Sequence, residues 1–279
     1  MKNKLITIVL CTCILSSTLV AQTFTVGTFN LRYDNARDTG NLWKDRLPRV
    51  AALIVFHDFD IIGTQEGLQH QIEGLEHALP GYTYYGIGRD DGDKKGEHSA
   101  IFIKKSIFTI VDKGDFWLSD TPEKPSVGWD AHINRICSWV LLKHTNSGKK
   151  IYCFNVHYDH QGVQARIESS KLILTKIKSI AANTPVLLTG DFNGDHQSEW
   201  YQLIAQSGIL LDTYTRVTKP YMPNGTFQGF GPNLNAGQVI DHIFTSAHFK
   251  VSKWGVLTDS YNGKFPSDHF PVTSTISFQ

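Results

Sequence analysis

Apolar, strand-like runs along this chain repeatedly border a small group of polar residues. Phe24-Thr-Val-Gly-Thr-Phe29 leads into Asn30, Asp60-Ile-Ile-Gly-Thr64 into Gln65-Glu66, and Lys150-Ile-Tyr-Cys-Phe154 into Asn155-Val-His157. Pro185-Val-Leu-Leu-Thr-Gly190 leads into Asp191-Phe-Asn193, Gln238-Val-Ile240 into Asp241-His242, and Ser267-Asp268-His269 stands before a final strand. Strands that each deliver carboxylates, amides or imidazoles at one end describe a polar site at one rim of a sheet scaffold, where rigid elements hold reactive groups in place.

Between these runs the apolar period changes to that of a helix. Arg46 to Phe56 predicts a first helix with Pro48 near its start, and Leu68, Ile72, Leu75 and Leu79 mark a second. A third runs from about Ala165 to Ala181 with Ile173, Ile177 and Ile180 on one face, and a fourth begins near Ser198 with Trp200, Leu203 and Ile204. Further strands are predicted over Ala100–Lys104, Ile136–Lys143, Lys150–His157 and Val272–Phe278. In the last, Val272, Ile276 and Phe278 share one face and Thr273, Thr275 and Ser277 the other, the pattern of a half-buried strand. Many strands flanked by a few helices predict an α/β fold of stacked sheets covered by helices on the outside. Two segments, Ile87 to Glu97 and Phe116 to Asp130, look like long structured loops of the kind that border a substrate cleft.

The polar groups run from residue 30 to residue 269, so they converge only if the whole chain after its leader is one domain. Residues 1–21 are excluded from that domain. Lys2 and Lys4 precede an uncharged stretch from Leu5 to Val20 and a small residue, Ala21, which is the pattern of a secretory signal peptide cleaved before Gln22. The stretch is short for a spanning helix, so the chain is expected to be exported, periplasmic or secreted, and to work without a stable membrane anchor as a monomer.

Charge narrows the partners. The whole chain has 27 basic residues against 26 acidic ones; without Lys2 and Lys4 the balance is 25 to 26, a formal charge of −1. The net basic charge that non-specific nucleic-acid binders use to collect phosphates is missing, although local basic patches remain open. Of the cysteines only Cys137 and Cys153 follow the leader. They fall on the two strands of a hairpin turning near Asn146-Ser-Gly148, whose register sets Cys137 opposite residue 155 or 156, so two free buried thiols are expected.

Each polar group alone has an ordinary explanation: a turn at Asn30, a helix start at Glu66, an Asx turn at Asp191 and Asn193, a satisfied core imidazole at His157. Together and in this order they do not. Thr28-Phe-Asn-Leu-Arg32, Thr64-Gln-Glu66, Asn155-Val-His157, Gly190-Asp-Phe-Asn193, Ile240-Asp-His-Ile-Phe244 and Ser267-Asp-His-Phe-Pro271 resemble the motifs of the endonuclease/exonuclease/phosphatase superfamily. Its members include pancreatic-type deoxyribonuclease, abasic-site endonucleases, deadenylases, inositol polyphosphate 5-phosphatases and bacterial sphingomyelinases. The resemblance covers residues 23 to 278 and is strongest to exported bacterial members with a deadenylase-like core. It implies a four-layered α/β/β/α sandwich of two mixed, mostly antiparallel sheets.

The resemblance also implies a chemistry: hydrolysis of a phosphoester by an activated water, with a cation neutralising the phosphate. Glu66 and Asp268, with Asn30 nearby, are the implied hard-oxygen ligands of Mg2+ or Mn2+. His269 is implied to pair with Asp241, Asp191 to orient or deprotonate the water, Asn193 to donate to the phosphoryl group or the nucleophile, and His157 to contact a phosphoryl oxygen or assist the leaving group. The division of roles between His157 and His269 stays open. Arg135, which enters one hairpin strand as His157 ends the other, and Asn155 are candidate phosphate contacts. Glu97 is a candidate for orienting His157. His157-Tyr-Asp-His160 with Arg166 resembles an exported bacterial subgroup, which adds His160 and Arg166 to the candidates. A structural zinc is not expected, because the thiols are too few and His242 forms no closed ligand set with them.

Departures from better-known branches narrow the substrate. The 5-phosphatases follow Gly-Asp-Xaa-Asn with an aromatic and an arginine, and their later Asp with Arg; here Gly194-Asp195 and His242 stand instead. The Phe116–Trp129 segment is a poor match to the membrane-docking aromatic hairpin of sphingomyelinases. Three readings remain: a nuclease acting on RNA or DNA ends, a phosphatase or phosphodiesterase of a small sugar, lipid-headgroup or other phosphometabolite, and a non-catalytic phosphoryl-binding protein that kept the fold.

Overall fold

The computed structural model of the protein describes residues 23–221, 224–231 and 237–279; the expected leader lies outside them. In chain order the elements are β1 (Thr23–Asn30), α1 (Trp43–Phe56), β2 (Ile61–Gln65), α2 (Gln69–Ala78), β3 (Tyr82–Tyr85), β4 (Ile101–Lys104), β5 (Phe108–Trp117), β6 (Ile136–His144) and β7 (Lys150–His157). They continue with α3 (Val163–Ala181), β8 (Val186–Asp191), α4 (Glu199–Ala205), β9 (Leu211–Asp212), a single 3-10 turn (Tyr214–Arg216), β10 (Asp241–Thr245), β11 (Phe249–Val256) and β12 (Val272–Phe278).

Two six-stranded mixed sheets, ordered β11-β12-β1-β2-β4-β3 and β5-β6-β7-β8-β10-β9, pack face to face. Alternate residues of both inner faces, among them Phe24, Val26 and Ile61 from one sheet and Val140, Ile151 and Leu187 from the other, fill the layer between them. A second apolar layer joins the first sheet to α1 and α2 through Phe29, Val50, Ile54 and Ile72, and a third joins the second sheet to α3 and α4 through Phe154, Ile173, Ile177 and Ile204. The molecule is the expected four-layered sandwich, in which each sheet has both faces covered.

Two helices, α1 and α3, start earlier than the apolar pattern suggests. α1 begins at Trp43, so Pro48 lies inside it and forfeits one backbone bond rather than occupying the first turn. α3 begins at Val163, and its N-terminal amides are met from a distance: Asp130 accepts from Gln164 N and Ala165 N at 3.2 and 2.6 Å. A remote carboxylate thereby supplies the cap that Gly162 lacks. Among the described residues, no helix is long and apolar enough to cross a membrane.

Cys137 pairs with Val156 and Cys153 with Val140 in the β6–β7 register, and both thiols are free and buried, as the hairpin reading expected. The two sheets are bound near the rim by Asn155. Its amide donates to Thr64 O (2.8 Å) and Ala100 O (3.0 Å), and its oxygen accepts from Gln65 Nε2 (2.7 Å) and Thr189 Oγ1 (3.0 Å). The close approach explains Gly63: a Cβ there would lie 2.2 Å from Thr189 Oγ1 and 2.4 Å from Asn155 Oδ1.

Register brings the polar groups to one rim. Asn30 stands beside Gln65 at the ends of parallel β1 and β2, and His157 beside Asp191 at the ends of parallel β7 and β8. Asp241 faces Asp191 because β10 runs antiparallel to β8. The Asp241-His242 group therefore begins a strand instead of ending the run Gln238–Ile240, which is not part of β10. The reversal of direction returns it to the same rim.

Candidate active site

At this rim lies a cavity of about 630 Å3. Glu66, Glu97, Arg135, His157, His160, Asp191, Asn193, Asp268 and His269 all line it. Residues drawn from both sheets and from the loops between them meet there, while Asn30, Asn155, Arg166 and Asp241 are not in its lining.

The centre is an acid and imidazole cluster. Asp241 Oδ2 lies 2.9 Å from His269 Nδ1, and Asp191 Oδ2 lies 3.8 Å from His269 Nε2 and 3.6 Å from His157 Nε2. Burial works against a charged His269, but Asp241, then Asp191 and Asp268, outweigh it and raise the imidazole to about 10. His157 goes the other way. Burial, then the positive charges of Arg135 and Arg89 and the neighbouring His269, hold it well below its ordinary value. Two histidines a few ångströms from one carboxylate are therefore in opposite states at neutral pH, His269 charged and His157 neutral.

Asp191 is itself buried, and burial together with Asp241 raises it above the usual carboxylate range against the opposing influence of His269. Its oxygens are oriented by Asn193 N (2.9 Å) and Asn30 Nδ2 (3.0 Å). Asn193 and Glu66 adopt left-handed backbone conformations, with φ of 47° and 64°, uncommon for residues with a side chain. Each is fixed locally: Asn193 Nδ2 donates to Tyr158 O (3.0 Å), and Tyr33 N donates to Glu66 Oε2 (3.1 Å).

Glu66 and Asp268 are the hard-oxygen pair of the cavity. Burial raises Asp268, the like charge of Glu66 adds to this, and His269 and Arg32 act against it. A buried carboxylate whose charge is disfavoured beside a second one fits a divalent cation that both could hold. Asn30 presents its nitrogen to two acids. Its amide nitrogen donates to Glu66 Oε1 (3.0 Å) as well as to Asp191, and its oxygen accepts from Arg32 N (2.9 Å), so it spaces and orients the two carboxylates.

Two expectations need correction. Asn155 is fully buried, with both ends of its amide engaged between the sheets, and has no donor left for a phosphate. Arg166 lies outside the cavity lining, donating to Asp159 O (2.9 Å) with its guanidinium carbon 4.2 Å from the centre of the Trp200 ring. It braces the loop between β7 and α3.

Arg135 is buried against that loop. Its Nη2 lies 3.0 Å from His160 Nδ1 and its Nε 3.5 Å from Asp159 Oδ2, while Nη1 is buried with no partner. A guanidinium only donates, so His160 Nδ1 accepts. Glu97 is held by both terminal nitrogens of Arg89 at 2.6 and 2.9 Å and reaches to 3.7 Å from His157 Nδ1.

Of the two loops, Ile87–Glu97 delivers Glu97 to the cavity. Phe116–Asp130 does not line it; it donates from Trp117 Nε1 to Arg89 O and caps α3. The sequence reading missed Arg32, which is paired with Asp38 at 2.9 Å, and the aromatic wall of Phe227 and Phe230. The Phe227 ring is nearly half exposed and sits 5.1 Å from that of His269, brought there by an isolated backbone bridge. Arg32 ended a quoted motif and was within reach of the sequence; Phe227 lies in an irregular stretch with no periodicity to mark it.

The endonuclease/exonuclease/phosphatase family model matches residues 27–269. The chain belongs to that family. Among solved members, a mannosyl-6-phosphatase of Bacteroides thetaiotaomicron VPI-5482 is 47% identical, with 91% of this chain and 100% of that one covered and a TM-score of 0.89. Another endonuclease/exonuclease/phosphatase family protein of Bacteroides thetaiotaomicron is 46% identical, with 93% and 99% covered and a TM-score of 0.90. The human Nocturnin catalytic domain, solved with a sulfate anion, shares the family fold at 19% identity, with 92% and 94% covered and a TM-score of 0.72.

Proposed function

We propose that this chain is an exported, divalent-cation-dependent phosphomonoesterase acting on a phosphorylated sugar of the mannosyl-6-phosphate class. The reading rests on Arg135, which lines the cavity that also holds Asp191 and His269 and has one buried guanidinium nitrogen without a partner. Buried donors are almost always satisfied, and a guanidinium nitrogen beside a water-handling cluster suits a phosphoryl oxygen. The cavity volume suits one phosphorylated sugar, and the exposed face of Phe227 suits its apolar C–H surface. Likeness to the mannosyl-6-phosphatase supports the sugar class. Export rests on the leader of residues 1–21.

In this scheme Glu66 and Asp268 hold Mg2+ or Mn2+, which when bound neutralises charge on the phosphoryl group. Asp191, raised by burial and by Asp241 and oriented by Asn30 and the Asn193 amide, takes a proton from the attacking water. The charged His269, kept so by Asp241, donates to a phosphoryl oxygen, and Arg135 and Asn193 hold others. Neutral His157, steadied by Glu97, donates one hydrogen bond without adding charge. Water replaces the sugar oxygen on phosphorus, the departing oxygen takes a proton from solvent while Asp191 returns its proton to solvent, and the sugar alcohol and inorganic phosphate leave.

The test is phosphate release by purified residues 22–279 with Mg2+ or Mn2+ from mannose 6-phosphate and other hexose phosphates, beside single-stranded RNA, DNA and an aryl phosphodiester. Turnover confined to sugar monoesters is expected; cleavage of polymer or diester with the monoesters untouched would replace this reading by the nuclease or phosphodiesterase one. Glu66→Gln is expected to raise the Mg2+ concentration for half-maximal rate by about tenfold or more, since it removes a ligand charge. An unchanged Mg2+ titration would return Glu66 to a structural role. Arg135→Ala is expected to raise KM by roughly 10- to 100-fold, the worth of one hydrogen bond to a charged group. Steady-state kinetics identical to the parent would leave Arg135 as a brace for Asp159.

A further inference from the structure

A second cluster of metal-ligating side chains lies behind the active site. His196, in the loop after β8, Asp212 on β9 and His242 on β10 each point one ligand atom at a common space, with those atoms all within 4.8 Å of one another. Asp212 Oδ2 is 3.4 Å from His242 Nδ1 and 3.6 Å from His196 Nε2. Charge-assisted hydrogen bonds between such groups close to about 2.7–2.9 Å. The observed separations instead match the edge of a tetrahedron with ligand bonds of about 2.1 Å, which is roughly 3.4 Å.

The surroundings are those of a supported ligand set. His242 Nε2 lies 2.9 Å from Gly194 O, which only accepts, so this nitrogen carries a proton and, in the singly protonated ring, the lone pair of Nδ1 faces Asp212. Facing a carboxylate, that lone pair is repelled unless a cation or a second proton stands between them. Asp212 is buried, its Oδ1 accepting from Tyr214 N and its Oδ2 from the Tyr201 hydroxyl, each at 2.8 Å. The His196 ring stacks on Tyr214 with centroids 4.8 Å apart and meets Tyr201 edge-on at 5.0 Å, which aims its buried, unpartnered Nε2 inward. Neither cysteine takes part. The residues that complete a set with His242 come from distant parts of the chain.

We propose that His196, Asp212 and His242 bind a Zn2+-class cation separate from the one in the active site. Two imidazole nitrogens and one carboxylate oxygen suit zinc and not magnesium, which prefers oxygen alone, and three protein ligands leave a fourth position on the partly exposed side of His196. The ion ties together two segments that carry catalytic groups. His242 follows Asp241 directly, and His196 belongs to the loop that opens with Asp191 and Asn193. Gly194 and His242, two of the positions at which this chain departs from the 5-phosphatase pattern, are part of the same construction.

The experiment is calorimetric titration of chelator-treated protein with Zn2+ in saturating Mg2+, repeated on His196→Ala and on Glu66→Gln, with thermal unfolding and the visible spectrum of the Co2+-loaded protein alongside. The parent is expected to take up Zn2+ at a site that Mg2+ does not compete for, to gain thermal stability from it, and to show an intense tetrahedral Co2+ band. His196→Ala, altered at the most exposed of the three, should weaken that uptake more than about 100-fold, beyond the usual loss of a supporting residue. Glu66→Gln should leave it intact. Absence of Zn2+ uptake in the presence of Mg2+, or uptake that survives in His196→Ala, would overturn the proposal, and so would uptake lost only in Glu66→Gln.

Discussion

Asp191→Asn is expected to lower kcat roughly a thousandfold while leaving the fold in place, the range that removal of a positioned general base produces. The substitution keeps the size of the side chain and the acceptor for Asn193 N, so the left-handed turn at Asn193 stays supported. It removes a buried negative charge that burial and Asp241 already disfavour, so the loss of one bond from Asn30 is offset by relief of repulsion. What disappears is the carboxylate placed to take a proton from water. Phosphate release should therefore fall at every Mg2+ concentration, with the thermal midpoint within a few degrees of the parent. Turnover within tenfold of the parent would remove Asp191 from the water-handling role and with it the arrangement proposed around His269 and His157.

Asn155→Ala is expected to have the largest effect on stability. The amide spans the interface between the sheets and joins four partners, two acceptors and two donors, in a space with no access to water. Part of that network survives without it, since Gln65 Nε2 also donates to Thr28 Oγ1 and Ala100 O also accepts from Thr64. The expected loss is about 3 kcal/mol, the cost of one or two buried polar groups left unmatched, and the midpoint should drop by roughly 10 °C. Below that midpoint KM should stay near the parent value. A raised KM with an unchanged midpoint would instead make Asn155 a phosphate contact and contradict the closed amide network.

The same residue shows where sequence reasoning loses its hold. Asn155 stands two positions before His157 on β7, so alternation puts both on one face of the strand. That His157 reaches the cavity while Asn155 is sealed under the opposite sheet depends on where the sheets separate, and no local pattern records this. Asn30 is ambiguous for a related reason: an amide offers an oxygen or a nitrogen, and its partners, Glu66, Asp191 and Arg32 N, decide which one faces the acids. Arg166 was drawn in by its motif, but a helix start beside Trp200 turned it away. Asp241-His242 was read as the end of a strand because the apolar run before it is continuous, whereas the antiparallel direction of β10 makes it the beginning.

By itself the sequence determined the alternation of strands and helices, the rim that gathers the polar groups, the free thiols of the β6–β7 hairpin and the family. These follow from periodicity and from motifs that are short in sequence, where each residue's neighbours are fixed by the backbone repeat. Tertiary structure alone decided which of those polar groups face the cavity, that His269 is charged and His157 neutral, that Phe227 forms part of the wall, and that His242 meets His196 and Asp212. Those outcomes arise from burial and from charges brought together across strands and layers. A side chain's protonation and partners depend on what lies within a few ångströms in space, and that is settled only when the two sheets close on each other.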